Sequence, residues 1–191
     1  NGIIGANSRT TLGDCASLAG NEATTIFERA EARGLPTGIV TTALKRGKCP
    51  APLEAAAVNS MRTLNLPGAI LAGRGLVCAG TDVTGFGLLG HLGSLCRASG
   101  VSAVIHGAAR PVFSGEVMDL IAGDCIPGGT RQNLTHAAGF TDFAGADPVL
   151  QHLLADAQTS GGLLLCVAPQ HLEETLTVLK ELHTLSQSIV G

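Results

Sequence analysis

The sequence predicts an α+β domain: a split βαβ, ferredoxin-like mixed sheet with helices packed on it. Two stretches carry that expectation, a strand–helix–strand pattern over residues 76–106 and another over 163–190, separated by a long insert. The first twenty residues, rich in Gly, Ser, Thr and Asn, show no sustained period, although residues 2–6 fit the end of a strand. Asn21 and Glu22, then Ile26, Phe27 and Ala30 on one face and Gly34 with Pro36 as a stop, predict a capped amphipathic helix. Pro52 opens a second helix, in which Leu53, Ala56, Ala57, Ser60, Met61 and Leu64 recur at helical spacing until Pro67. Residues 76–79 read as a short buried strand, 81–85 as a turn, 86–99 as a helix closed by a left-handed Gly100, and 101–106 as a strand. The insert, 107–161, holds helices near 114–122 and 147–155 and two glycine-rich loops. A strand at 163–167, a helix at 169–183 and a strand at 188–190 complete the second unit.

Composition narrows the function classes. A chain of 191 residues, 45% hydrophobic and 14% charged, is one domain or one and a fraction, long enough to fold without disulfides or a structural metal. A net charge of -3 and the absence of Trp and Tyr supply neither the charge footprint nor the stacking platform for nucleic acid. No apolar run approaches the length of a membrane span. Asn1 opens the chain without a leader, so it reads as a fragment of a longer protein. Six cysteines without CxxC or zinc spacing read as reduced thiols of a cytoplasmic protein, which makes the sequon at Asn133 a chance match.

Gly85-Phe86-Gly87-Leu88-Leu89-Gly90 matches GxGxxG at the start of a helix, but the next expected strand ends in His106 and Gly107, where a dinucleotide site needs an acid. A nicotinamide site is therefore rejected. Asp82, in contrast, is expected at the carboxyl end of a strand, beside a helix whose first amides are free. A hard cation such as Mg²⁺ takes one or two carboxylates with phosphate oxygens and water, and a helix amino terminus favours the remaining negative charge. Gly85 and Gly87 would let the backbone approach such a ligand. On spacing alone the alternative stays open that Asp82 or Thr84 merely caps the helix. Asp156-Ala157-Gln158-Thr159-Ser160-Gly161-Gly162 and Pro127-Gly128-Gly129-Thr130-Arg131-Gln132-Asn133 are further polar loops. Each reads as an ordinary surface turn or as an anion-facing one, with Arg131 as a phosphate fork in the second. The histidines share no ligand spacing, and neither a P-loop nor GxSxG occurs.

Thr81-Asp82-Val83-Thr84-Gly85-Phe86-Gly87-Leu88-Leu89-Gly90-His91-Leu92 closely resembles the selenophosphate synthetase (selenide, water dikinase) family. Residues 37–47, 61–65, 127–133 and 158–164 resemble further motifs of that family, in its order. The likeness covers about residues 37–191, so 1–36 are expected to be a remnant or linker from an amino-terminal lobe and 37–191 the carboxy-terminal lobe of an aminoimidazole ribonucleotide synthetase-like enzyme. The resemblance implies that selenide, ATP and water give selenophosphate, AMP and orthophosphate, with Mg²⁺ neutralising the phosphates, as a supply of selenium for selenocysteine. It also implies a homodimer through the amino-terminal lobe and ATP in the cleft between lobes. Asp82 matches the family's metal-binding aspartate, with Gly85 and Gly87 as neighbours at the nucleotide. The family's reactive cysteine or selenocysteine and its lysine belong to the other lobe, so no catalytic residue is assigned here and the fragment alone is expected to be inert. Two departures stand out: Arg33-Gly34-Leu35-Pro36 replaces a lysine-proline-leucine-glycine run, and Ala157 replaces a proline. The alternatives are a related synthetase, such as an aminoimidazole ribonucleotide synthetase, and a non-catalytic module that binds selenoprotein-synthesis proteins.

Overall fold

A computed structural model describes residues 38–107, 112–159 and 161–191. The expected helix near 21–34, the strand at 2–6 and the linker assigned to 1–36 lie outside these residues. The chain runs α1 (Gly38–Lys45), α2 (Ala51–Arg62), α3 (Leu66–Gly73), β1 (Ala79–Asp82), α4 (Gly87–Ser99), α5 (Glu116–Ala122), α6 (Gly128–Ala137), α7 (Pro148–Leu154), β2 (Leu163–Cys166), a 3₁₀ turn (Pro169–His171) and α8 (Leu172–Glu181). Mixed helix and small sheet match the coarse α+β expectation.

β1 and β2 pair antiparallel, with Ala79 opposite Cys166 and Asp82 opposite Leu163. Alternate residues of β2 meet α3 and α8, as the two-residue period of a strand requires. Leu165 packs with Leu71, Leu76 and Val178, and Leu163 lies over Gly68. The expected strands at 101–106 and 188–190 form no ladder among the described residues. One hydrogen bond, His106 N to Val190 O at 2.7 Å, joins these segments to each other. Val101, Val104 and Ile189 stay half or more exposed, and a short segment that buries so little apolar surface gains too little to offset its ordering cost. β1 also starts later than residue 76. Leu76 belongs to the end of α3, where its N–H reaches Leu71 O across Gly75 at φ +70°, the bond that closes a Schellman cap.

Three helices depart from the sequence reading. α2 ends at Arg62, short of the expected Leu64, because Thr63 turns extended, and Pro67 sits instead in the first turn of α3, where its missing N–H costs nothing. α1 carried no helical expectation. Residues 127–133, expected to be a polar loop, instead open the helix α6, which runs on to Ala137. Burial of Thr130 and Ala137, two turns apart, overrides the poor propensity of that start. The remaining helices follow their signals. Leu53, Ala57 and Met61 form the buried stripe of α2, Gly100 ends α4 at φ +65°, and Asp147 Oδ1 caps α7 by accepting from Val149 N at 2.7 Å.

Apolar burial falls into three clusters. α1, α2 and α5 share Ile39, Ala43, Leu53 and Leu120; α3 and α8 close on the sheet; α4, α6 and α7 meet at Leu89, Ala137 and Leu154. The third cluster fixes the start of α4, where the candidate residues lie. The described cysteines, 49, 78, 96, 125 and 166, are free, and no helix among the described residues is long and apolar enough to cross a membrane.

Candidate functional site

Asp82 is the last residue of β1, half-buried, and α4 begins five residues later. Among the described residues no hydrogen bond or ion pair engages its carboxylate. Thr84, the other candidate cap, turns its Oγ1 to His91 Nε2 at 3.1 Å. The residue at the cap position is Phe86, which makes no side-chain capping bond. Neither hydroxyl nor carboxylate therefore caps α4, and an unpaired acid lies five residues before a helix start that has no side-chain cap.

The two glycines of the turn do different things. A Cβ on Gly85 would meet nothing within 4 Å, so this position is open to a ligand. Gly87 has φ +66°, and a Cβ there would stand 2.6 Å from the carbonyl carbon of Ala155 and 2.7 Å from its oxygen. It is needed for the contact between α4 and the end of α7.

The other polar loops clasp this turn from two sides. From the segment after α7, Gln158 N donates to Thr84 O at 3.0 Å and Gly161 N to Val83 O at 2.9 Å, while Val83 N donates to Gly162 O at 2.9 Å. A Cβ on Gly161 would lie 2.5 Å from Val83 O, so the glycine permits the close approach. The segment is thus a continuation of the β1–β2 ladder rather than a free surface turn. From α6, Asn133 Nδ2 donates to Gly85 O at 2.8 Å and to Ala155 O at 3.1 Å.

One turn before Asn133, on the same face of α6, Thr130 is fully buried. Its hydroxyl donates to Asp156 Oδ1 at 2.8 Å and accepts from Ala157 N at 3.1 Å. Asp156 also accepts from Ile39 N, at the start of α1, at 3.5 Å. A Cβ on Gly38 would collide with both carboxylate oxygens. Burial pushes the Asp156 carboxyl up to about 6 from an ordinary 3.8, against the opposing pull of the Thr130 and Ile39 bonds. Arg131 does not act as a free phosphate fork. It pairs with Asp124, whose backbone oxygen also accepts from Arg46 Nη1 at 2.6 Å.

Sequence reasoning named Asp82, Gly85 and Gly87, and the structure brings them together in one turn. It missed Thr130, Asn133 and Asp156. The available signal was the i, i+3 spacing of Thr130 and Asn133, which becomes visible only once 128–137 are a helix. No three metal-ligating side chains come together among the described residues. A single carboxylate fits one side of a Mg²⁺ site that is completed by phosphate oxygens, water and groups from elsewhere.

Comparison with known proteins gives this junction its family. The profile of AIR synthase related protein, C-terminal domain, matches residues 33–191. A selenide, water dikinase of Yersinia pseudotuberculosis is 42% identical over 157 residues, which cover 82% of this chain and 44% of that protein. Selenide, water dikinases of Photorhabdus laumondii and Pseudomonas putida are 40% and 45% identical over 158 and 148 residues, covering 82% and 78% of this chain and 44% and 42% of theirs. The chain thus spans less than half the length of these relatives. By the match over residues 33–191, it belongs to the AIR synthase related protein family and represents that family's C-terminal domain.

Proposed function

We propose that the chain is the carboxy-terminal lobe of a selenide, water dikinase, residues 1–36 being a linker or remnant towards the other lobe. In this reading the whole protein converts selenide, ATP and water to selenophosphate, AMP and orthophosphate in the cytoplasm, as a homodimer joined through the other lobe. The observation that carries it is the unpaired Asp82 carboxylate beside the uncapped start of α4. Asp82 would hold Mg²⁺ from one side, which when bound neutralises phosphate charge. Gly85 leaves room for a phosphate oxygen near the backbone, just before the start of α4. Gly87 serves that site indirectly, by seating α4 on Ala155. The finer sheet architecture, a split βαβ, belongs to this proposal; the antiparallel β1–β2 pair is consistent with its central pair. Identity to relatives named selenide, water dikinase disfavours an aminoimidazole ribonucleotide synthetase.

The test uses the full-length protein. Wild type is expected to form AMP and phosphate from ATP only when selenide is present. Asp82→Asn is expected to raise the Mg²⁺ concentration for half-maximal turnover by roughly tenfold or more, or to abolish turnover. Nucleotide consumption that ignores selenide would reject the substrate assignment, and a wild-type metal titration of D82N would reject the residue assignment.

A further inference from the structure

We infer that Asn133 is a positioning residue for the Asp82 turn, the brace that sets where the carboxylate and the start of α4 stand relative to α6 and α7. The inference rests on the metal-site reading of Asp82 given above. Both partners of the Asn133 amide, Gly85 O and Ala155 O, are carbonyl oxygens and can only accept, so the amide nitrogen must face them. One side chain therefore spans the two backbones that Gly87 brings together: Gly85 belongs to the turn, and Ala155 is the residue against which Gly87 packs. Three residues earlier on the same helix, Thr130 fastens the next two positions, Asp156 and Ala157. The segment 155–157 is thereby tied to α6 at three consecutive residues, and its continuation holds Thr84 O and Val83 O through Gln158 N and Gly161 N. Among the described residues Gly85 O accepts only from the Asn133 side chain, and the turn makes its own backbone bond elsewhere, from Gly87 N to Thr84 O at 2.9 Å. The asparagine reaches the turn from 48 residues away and acts on it through backbone carbonyls.

The experiment compares full-length wild type with Asn133→Ala, the isosteric Asn133→Asp and Asp82→Asn. Two quantities are read: amide hydrogen exchange across the turn, and the Mg²⁺ concentration that gives half-maximal selenide-dependent ATP turnover. N133A and N133D are both expected to speed exchange at Gly87 and Gln158 by about tenfold, with α2 and α8 unchanged. Both are expected to raise the metal requirement by about fivefold while changing kcat at saturating metal less. N133D keeps the shape but offers no donor to two carbonyls, so a packing role alone would leave it like wild type. Wild-type exchange and metal dependence in N133D would overturn the inference, as would faster exchange spread evenly over the domain. A change in exchange alone would also overturn it, provided that D82N still shifts the metal titration. If neither D82N nor the Asn133 variants shift that titration while exchange at the turn rises, the metal reading of Asp82 fails and the brace stands.

Discussion

Replacing Gly87 with alanine is expected to cost roughly 2–5 kcal/mol of folding stability, from left-handed strain plus overpacking. Its φ of +66° is the first cause, since a Cβ in that conformation crowds the following carbonyl. The second is the backbone of Ala155, 2.6 Å from the added carbon, which has no rotamer by which to retreat. Relief requires α4 to lift off the end of α7 and opens the cluster of Leu89, Ala137 and Leu154. Small domains have only about 5–15 kcal/mol in total, so much of the stability would go. Urea unfolding of wild type and G87A at one pH measures the difference. A loss below about 1 kcal/mol would mean that the two helices are not clamped at this point.

Thr130→Val is expected to cost about 3 kcal/mol near pH 8, because valine keeps the shape but leaves the buried Asp156 Oδ1 and the half-buried Ala157 N without their partner. The cost depends on pH, with a definite sign. The folded-state pKa of Asp156, about 6, lies above its ordinary 3.8, so between these values the folded chain keeps a proton that the unfolded chain has released. The stability tied to that proton is fully present below about pH 4 and lost as pH rises through about 6. Without Thr130, one of the two bonds that hold the value down is gone. The pKa rises further, and the loss extends to higher pH. The gap between wild type and T130V should therefore be widest above pH 6, as measured by unfolding at a series of pH values. A constant gap from pH 5 to 8 would show that Asp156 does not titrate against this hydroxyl.

Legibility in the sequence followed the strength of local signals. α2, α4 and α7 carry prolines, caps or apolar stripes that act within a few residues, and they formed where those signals lie. α6 was illegible because Gly128 and Gly129 argue against a helix, and what overrides them is contact with Asp156 and Ala157, distant in sequence. The strands at 101–106 and 188–190 failed in the opposite way: their β-branched residues suggested strands, but few neighbours cover them. For the site, the carboxylate and glycines of 82–87 were readable as a chemical pattern. The groups that hold this pattern in place were not, because Asn133 and Thr130 work by meeting carbonyls and a carboxylate that only the folded chain brings near.

Asp82 is bound in register to Leu163, so the two strands that set its place are about 80 residues apart in sequence, the kind of non-local pairing that slows folding. During synthesis at about 5–20 residues per second, β1 leaves the ribosome several seconds before any β2 exists. Throughout that interval the acidic turn has neither its ladder nor Gln158 and Gly161 to hold it. A nascent chain stalled anywhere in the insert would carry the aspartate and both glycines yet lack the clasped turn, so the arrangement around Asp82 arrives late in translation and all at once.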